Sequence, residues 1–194
     1  MKRLCVFCGS RGGAAPAYAE ATRELGRRMA GRGLGLVFGG GHVGLMGALA
    51  DAVLQTGGEV IGVIPQGLVD RELAHQGCTQ LHITSSMHER KAVMADLADA
   101  FAALPGGYGT LDETFEMLTW AQLGLHAKPV GLLNVHGYFD GLLTFLDHTV
   151  REGFIKPPHR QLLIAASTGE ALLDALADAK PHAAVAKWGE VPRP

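Results

Sequence analysis

The sequence has few cysteines, and their number excludes a disulfide framework. Three cysteines in 194 residues are too few for the disulfide-linked folds of small secreted domains. Cys5 and Cys8 form a C-x-x-C pair, but both lie in the apolar run LCVFC, which is typical of a strand, whereas redox pairs begin helices. We therefore expect buried thiols there. The nine histidines show no paired spacing, so we predict no metal site.

Long apolar segments and blocks of basic residues are also missing. No apolar run is long enough to cross a bilayer, and the short apolar run near the N-terminus has no signal-peptide cleavage site behind it. The formal charge is −2, and the 17 lysines and arginines are scattered, which argues against a nucleic-acid surface. These absences predict a cytoplasmic protein with neither a membrane nor a nucleic acid as partner.

What the sequence does have is a regular alternation of apolar runs and helical patterns. The runs are continuous rather than alternating, as in parallel strands that helices cover on both faces. We predict an α/β fold, a doubly wound, Rossmann-like parallel sheet of about seven strands with helices on both faces. Residues 1–179 would form this single domain, and residues 180–194 a poorly ordered or surface-draped tail.

Three of the predicted strands end in glycine-rich turns, CGSRGG, FGGGHVGLMG and LPGGYGT, which should meet at one edge of the sheet. The second turn has the Gly39-x-Gly41-x-x-Gly44 spacing of dinucleotide sites. The acid that would bind the ribose is missing from the end of the next strand, so a dinucleotide cofactor is disfavoured. Two interpretations remain, a tight strand-to-helix turn and a turn that a nucleotide approaches closely, and we favour the second.

The third turn combines anion-binding groups with carboxylates. Gly106 and Gly107 can present N–H groups, and Thr110 offers a hydroxyl at a helix start, where a phosphate is favoured. Glu113 then has two interpretations. It completes a T-x-x-E capping box, or it faces the ribose of an extended nucleotide whose phosphate rests on the glycines. In the second case it would stabilise the positive charge that the sugar gains as its bond breaks.

Several of these motifs resemble one known family. PGGYGTLDE is similar to the P-G-G-x-G-T-x-x-E signature of the LOG ("Lonely guy") family, and SMHERK to its M-x-x-R-K motif. CVFCGS, FGGGHVGLMG, VIPQGLVDREL and TWAQLGLHAKPVGLLN are also similar, so the resemblance covers nearly the whole chain. Family members are doubly wound, usually dimeric cytokinin riboside 5′-monophosphate phosphoribohydrolases, formerly labelled lysine decarboxylases. The resemblance implies hydrolysis of the N-glycosidic bond of a nucleoside 5′-monophosphate by a homodimer without a cofactor.

The resemblance also assigns site residues. The catalytic arginine of the family falls on Arg90 and the catalytic glutamate on Glu113. The expected substrate-binding positions are Glu72, Lys91, Gly106, Gly107, Tyr108, Gly109, Thr110, Asp112 and Thr119, with Ser10, Gly41 and Met87 from the adjoining motifs.

Each expected role has a physical basis. The planar fork of Arg90 suits a carboxylate and a ribose or phosphate oxygen together, although a solvated helix face is the alternative. Glu113 would stabilise an oxocarbenium-like ribose and orient or deprotonate water. Glu72 or a water molecule would protonate the leaving base. Lys91 faces elsewhere on its helix and would touch substrate only at the rim.

Three other functions remain open at this level. A non-catalytic nucleotide-binding module would keep the glycine turns but not need Glu113 with Arg90. A pyridoxal-phosphate lysine decarboxylase would need a Schiff-base lysine, for which Lys91 is the only candidate near a motif. A plain AMP nucleosidase would share the chemistry and lack a pocket for an N6 substituent.

One helix pattern suggests an interface between subunits. Apolar residues occupy two sides of the segment, Leu111, Phe115 and Leu118 on one side and Met117, Trp120, Ala121 and Gly124 on the other. A helix that is apolar on both sides must bury both. The second side either packs under a neighbouring element or forms a homodimer interface, and we favour the interface, across which the active site could borrow residues.

Overall fold

The computed structural model describes residues 1–71 and 73–180. Seven strands form one sheet: Arg3–Phe7 (β1), Gly35–Phe38 (β2), Val60–Pro65 (β3), Gln80–Thr84 (β4), Ala100–Ala103 (β5), Val130–Leu133 (β6) and Leu163–Ala166 (β7). All neighbouring strands are parallel, in the order β4-β3-β2-β1-β5-β6-β7.

Helices connect the strands. They are Pro16–Gly31 (α1), Gly44–Gln55 (α2), Gln66–Val69 (α3), Met87–Leu97 (α4), Tyr108–Leu123 (α5), Asp140–Arg151 (α6), Pro157–Arg160 (α7) and Gly169–Asp178 (α8), with a 3-10 turn at Val135–Gly137. Within the described ranges, each helix is too short or too polar to cross a bilayer.

The sheet is buried on both faces, which explains its continuous apolar strands. On one face, α1, α2 and α8 supply the core residues Leu25, Leu49 and Leu172. On the other face, α4, α5 and α6 supply a second core that includes Met94 and Met117. The predicted doubly wound α/β fold of about seven strands is confirmed.

The strand order reverses between β1 and β5, so the chain leaves these neighbouring strands toward opposite faces of the sheet. A crevice opens at such a point beyond the carboxyl ends of the strands. The three glycine-rich turns follow β1, β2 and β5, and all of them therefore lie at this edge.

The structure differs from the sequence analysis in two helical details. The pattern placed the start of α5 near Thr110, but the helix begins at Tyr108, with Gly107 as its N-terminal cap residue. Met117, which was assigned to a subunit interface, is 1% exposed and packs in the core under the sheet, because its side of α5 faces β5 and β6. The predicted tail lies almost entirely outside the described residues.

Candidate active site

Backbone contacts hold the three glycine-rich turns together. Gly9 follows β1, and its N–H donates to the carbonyl of Pro105, which follows β5, at 3.0 Å. The carbonyl of Gly9 accepts from the N–H of Leu45, in α2, at 3.0 Å. Gly44 has a φ of 60° and leaves no room for a Cβ atom beside the backbone of Ser10. The turn after β1 is thus clamped between the other two, and glycine is required at the contact.

A cleft of about 420 Å³, a volume typical of small-molecule sites, opens over these turns. Nine of the residues predicted from the sequence line it: Ser10, Gly41, Met87, Arg90, Gly107, Tyr108, Gly109, Thr110 and Glu113. Eight further residues that were not predicted also line the cleft: Cys8, Gly9, Gly39, Val43, Met46, Ile64, Leu68 and Leu73.

Arg90 reaches the cleft from the first turns of α4. The helix start is fixed by Ser86, whose hydroxyl accepts from the N–H of Glu89 at 3.1 Å. Arg90 is buried, with 7% of the residue exposed, and its Nε donates to the carbonyl of Val63 at 3.0 Å. Its Nη1 lies 2.5 Å from Oε1 of Glu113. The solvated helix face considered as an alternative for Arg90 is therefore wrong.

Glu113 comes from the second turn of α5 and is 9% exposed. Burial raises the pKa of its carboxyl above the ordinary value, although the charge and hydrogen bond of Arg90 act in the opposite direction. A buried carboxylate with a raised pKa is a stronger base than an exposed one. Within the described residues, no side chain caps α5, so of the two interpretations of Glu113 the capping box is wrong, and Glu113 pairs with Arg90.

Gly39 makes room for the guanidinium. A Cβ atom at Gly39 would overlap Nη2 of Arg90, so the side chain of Arg90 passes directly over the end of β2. The glycine spacing that resembles a dinucleotide motif therefore has a different purpose at this position, since its first glycine accommodates an arginine.

Lys91, beside Arg90 in the sequence, lies outside the lining of the cleft. It is 8% exposed, and its Nζ lies 2.8 Å from Oε2 of Glu116 and 3.3 Å from Oδ2 of Asp112. Burial alone would lower the pKa of Lys91, but the two carboxylates together hold it above the ordinary value. Two of the three carboxylates that follow the glycine turn are thus paired with a lysine behind the site.

Gly106 and Thr119 were also predicted to bind substrate, but they do not line the cleft. Gly106 is the first glycine of the turn after β5, and a Cβ atom there would overlap the hydroxyl of Thr110. Thr119 is exposed and lines a separate groove with Phe115 and Leu118. Glu72 lies outside the described residues.

The lining residues that the sequence analysis missed belong to two kinds. Gly39 belongs to a recognisable glycine motif, but its contact with Arg90 joins distant segments and leaves no local pattern in the sequence. Leu68 and Leu73 lie in a stretch without helical or strand periodicity. The bridge between Gly41 and Ala74 holds that stretch against the turn after β2, and a sequence without a pairing pattern gives no sign of it.

The two cysteines of the C-x-x-C pair are buried thiols, as the sequence predicts. Cys5 and Cys8 are 0% and 8% exposed, and burial raises the pKa of both thiols far above the ordinary value. They pack on opposite faces of the sheet, as expected for small apolar side chains in a strand.

The family model and the most similar curated proteins point to the same family. A family model described as "Possible lysine decarboxylase" matches residues 46–176. Two cytokinin riboside 5′-monophosphate phosphoribohydrolases of Arabidopsis thaliana are 49% and 50% identical, covering 99% and 93% of this chain and 90% and 85% of theirs. The molybdenum cofactor binding protein of Rippkaea orientalis shares the fold, with a TM-score of 0.68 at 21% identity over 91% of this chain and 96% of that one. The chain belongs to the family of these plant enzymes, the LOG family of cytokinin riboside 5′-monophosphate phosphoribohydrolases.

Proposed function

We propose that this protein hydrolyses the N-glycosidic bond of a nucleoside 5′-monophosphate and releases the free base and ribose 5-phosphate. The observation that carries the proposal is the buried pair of Arg90 and Glu113 in the same cleft as the glycine turn Gly107–Thr110. The Arabidopsis relatives, about half identical over nearly the whole chain, carry the name of this activity.

The two ends of the cleft suit the two ends of a nucleotide. Gly107 and Gly109 lie at the N-terminus of α5, where unpaired N–H groups and the helix dipole favour a phosphate. The carboxylate of Glu113 lies one turn further along the helix and would meet the ribose. Because Lys91 pairs with Asp112 and Glu116, only Glu113 presents a carboxylate to the ribose from this part of α5.

The reaction follows from this arrangement. The bond between C1′ and the base nitrogen breaks with its electron pair on the base, and the ribose becomes oxocarbenium-like. Glu113 stabilises this charge and takes a proton from the water whose oxygen then bonds to C1′. Arg90 holds Glu113 and a ribose or phosphate oxygen in one plane. The base gains one proton, and Glu72 or water is the proposed source.

The rest of the cleft supports a substituted adenine as the base. Met46, Ile64, Leu68, Leu73 and Met87 form its apolar part. Unmodified adenine carries a polar exocyclic amine, whereas an N6-prenyl chain would bury apolar surface there. We therefore propose a cytokinin riboside 5′-monophosphate as the preferred substrate and AMP as the poorer one.

Two alternatives fit the site less well. A nucleotide-binding module has no use for a buried carboxylate held by a buried arginine, because the pair adds no affinity for a phosphate. A lysine decarboxylase needs a lysine that is readily deprotonated to form a Schiff base. Lys91 is buried between two carboxylates that hold its pKa above the ordinary value, which opposes that role.

The proposal includes a cytoplasmic homodimer. The scarcity of cysteines supports the compartment. Thr119, expected to bind substrate, lies in an apolar groove with Phe115 and Leu118 rather than in the cleft of its own chain. If a second copy covers this groove, Thr119 would reach the partner's cleft. Light scattering should give twice the mass of the chain, and a monomer at assay concentration would contradict this part of the proposal.

A steady-state assay tests the activity. The protein is incubated with AMP and with N6-isopentenyladenosine 5′-monophosphate, and free base and ribose 5-phosphate are quantified. We expect equal amounts of both products, with a higher kcat/KM for the prenylated nucleotide. Glu113→Gln should still bind nucleotide but lose about 10²–10³-fold in kcat, as for other key electrostatic groups. Binding of both nucleotides without release of base would favour the binding module.

A further inference from the structure

A tyrosine outside the cleft is hydrogen-bonded to the glycine turn inside it. Tyr138, which follows the 3-10 turn after β6, donates its hydroxyl to the carbonyl of Gly106 at 2.6 Å. Tyr138 does not line the cleft, whereas Gly107, the next residue of the turn, does. The contact joins positions 32 residues apart.

The geometry of the peptide group gives this hydrogen bond its consequence. The carbonyl of Gly106 and the N–H of Gly107 belong to one planar trans peptide, so they point in opposite directions. With the carbonyl held at Tyr138, the N–H of Gly107 points away from Tyr138. Gly107 is the cap residue of α5, where the helix leaves N–H groups unpaired for an anion.

This peptide would otherwise be easy to turn over. It lies between two glycines, and without Cβ atoms the rotation of the intervening peptide meets few steric barriers. Turned over, it would present a carbonyl oxygen in place of the N–H, and a phosphate would be repelled. The preceding peptide is held in another way, because the carbonyl of Pro105 accepts from the N–H of Gly9 at 3.0 Å.

Tyr138 itself is held in a fixed position. Its ring packs edge-on against Phe139 and Tyr18, with centroid distances of 4.9 and 5.7 Å. The following turn is tied by Asn134, whose side chain accepts from the N–H of Phe139 and donates to Asp140, both at 2.7 Å. Tyr138 is 43% exposed, but these contacts hold its ring in one position beside the Gly106 carbonyl.

We propose that Tyr138 is a positioning residue for the phosphate-binding turn. Its hydroxyl fixes the Gly106–Gly107 peptide with the N–H available to the 5′-phosphate of the nucleotide. The inference rests on the proposed function for the identity of the ligand. It goes beyond that function by assigning phosphate affinity to a residue that does not touch the substrate.

Equilibrium binding to Tyr138→Phe tests the role, because this variant keeps the ring and removes only the hydroxyl. Calorimetry with AMP, ribose 5-phosphate and adenosine, carried out in a Glu113→Gln background so that AMP is not hydrolysed, measures the phosphate-dependent part directly. We expect Kd for AMP and ribose 5-phosphate to rise about two- to tenfold, the effect of one neutral hydrogen bond, and Kd for adenosine to stay the same. In steady state, KM for the nucleotide should rise while kcat stays close to that of the wild type.

Tyr18→Phe is the matched control, because it removes the hydroxyl of the ring that packs against Tyr138 without touching the turn. It should leave all three Kd values unchanged. Equal weakening of AMP and adenosine by Tyr138→Phe would overturn the inference, since that pattern indicates general damage to the cleft, and so would unchanged affinity for AMP. If the wild type binds AMP but releases no base, the proposed function fails, and the same calorimetry still decides the role of Tyr138.

Discussion

The guanidinium of Arg90 occupies the space in which a side chain on Gly39 would lie. Nη2 of Arg90 is the atom that a Cβ at Gly39 would overlap, and Nη1 of the same group pairs with Glu113. The end of β2 and the pair of Arg90 and Glu113 are therefore coupled, although Gly39 has no side chain of its own.

Gly39→Ala should impair catalysis much more than folding. The overlapping atom is the far end of a long side chain, so the guanidinium can shift without moving the backbone, but Nη1 is then displaced from its position against Glu113. A displacement of about 1 Å in a catalytic group costs on the order of 10²-fold in rate. We expect kcat to fall by about that factor, with a melting temperature within a few degrees of the wild type.

Gly12→Ala is the control for this variant, because a Cβ atom at Gly12 meets no atom within 4 Å and Gly12 lies in the turn after β1. It should keep wild-type kcat. A Gly39→Ala enzyme with full activity would show that the position of Arg90 is not critical for the reaction.

The raised pKa of Glu113 predicts the acid side of the pH profile. The proposed reaction needs the ionised carboxylate of Glu113, so activity should be lost as the pH falls through the pKa of this group. Burial is the main cause that raises this pKa, with Asp112 adding to it, while Arg90 and Lys91 lower it. We expect kcat/KM to fall on the acid side with an apparent pKa above the ordinary glutamate value of about 4.3. A profile that stays flat to below that value would mean that Glu113 does not act as the base.

Lys91→Met tests whether Lys91 acts by lowering the pKa of Glu113 or by contacting the substrate. It also tests whether Glu113 is the group whose titration gives the acid limb. Since the charge of Lys91 lowers the pKa of Glu113, its removal should move the acid limb of kcat/KM to higher pH. The second ionisation of the substrate phosphate also lies near pH 6, but that ionisation would not follow the mutation. The measurement is the pH profile of wild type and variant with the same nucleotide.

Lys91→Arg is the matched variant, because it keeps the charge beside Asp112 and Glu116. Its acid limb should stay near that of the wild type. If Lys91→Met instead raises KM strongly and leaves the limb in place, Lys91 contacts the substrate directly, as the family resemblance implies.

The sequence predicts the fold and the convergence of the turns because both depend on local patterns. Continuous apolar runs indicate parallel strands, and the carboxyl ends of such strands meet at one edge. The pair of Arg90 and Glu113 came from the resemblance rather than from spacing. The same S/T-x-x-E spacing occurs at the starts of α4 and α5 with different outcomes. Ser86 and Glu89 accept hydrogen bonds from backbone N–H groups at the start of α4, whereas no side chain of the described residues caps α5.

The features that escaped prediction are contacts between distant segments. Glu113 leaves its helix start because a buried arginine from α4 is available, and nothing within α5 signals that partner. The bond from Tyr138 to Gly106 joins a side chain to a backbone atom, which needs no recognisable pair of residue types. Such contacts form when helices and strands pack together, and the hydrophobic periodicity of a single segment does not predict them.

The apolar part of the cleft predicts which variant alters substrate preference. Leu68 lies in the short helix α3 and lines the cleft, and the segment is held because the N–H of Leu73 donates to the Leu68 carbonyl at 3.2 Å. Leu68→Ser should reduce contact with an N6-prenyl chain and leave AMP nearly unaffected. We expect the ratio of kcat/KM for the prenylated nucleotide over AMP to fall about five- to thirtyfold, the range for losing part of one buried apolar contact.

Val69→Ser provides the comparison, because Val69 is the next residue of the same helix and lies outside the cleft lining. It should leave the ratio unchanged, and Leu68→Met, which conserves volume, should retain most of the preference. If Leu68→Ser also leaves the ratio unchanged while the wild type strongly prefers the prenylated nucleotide, the N6 chain lies elsewhere. The apolar groove beside Thr119 would then be the region to alter, because the proposed homodimer would bring it to the partner's cleft.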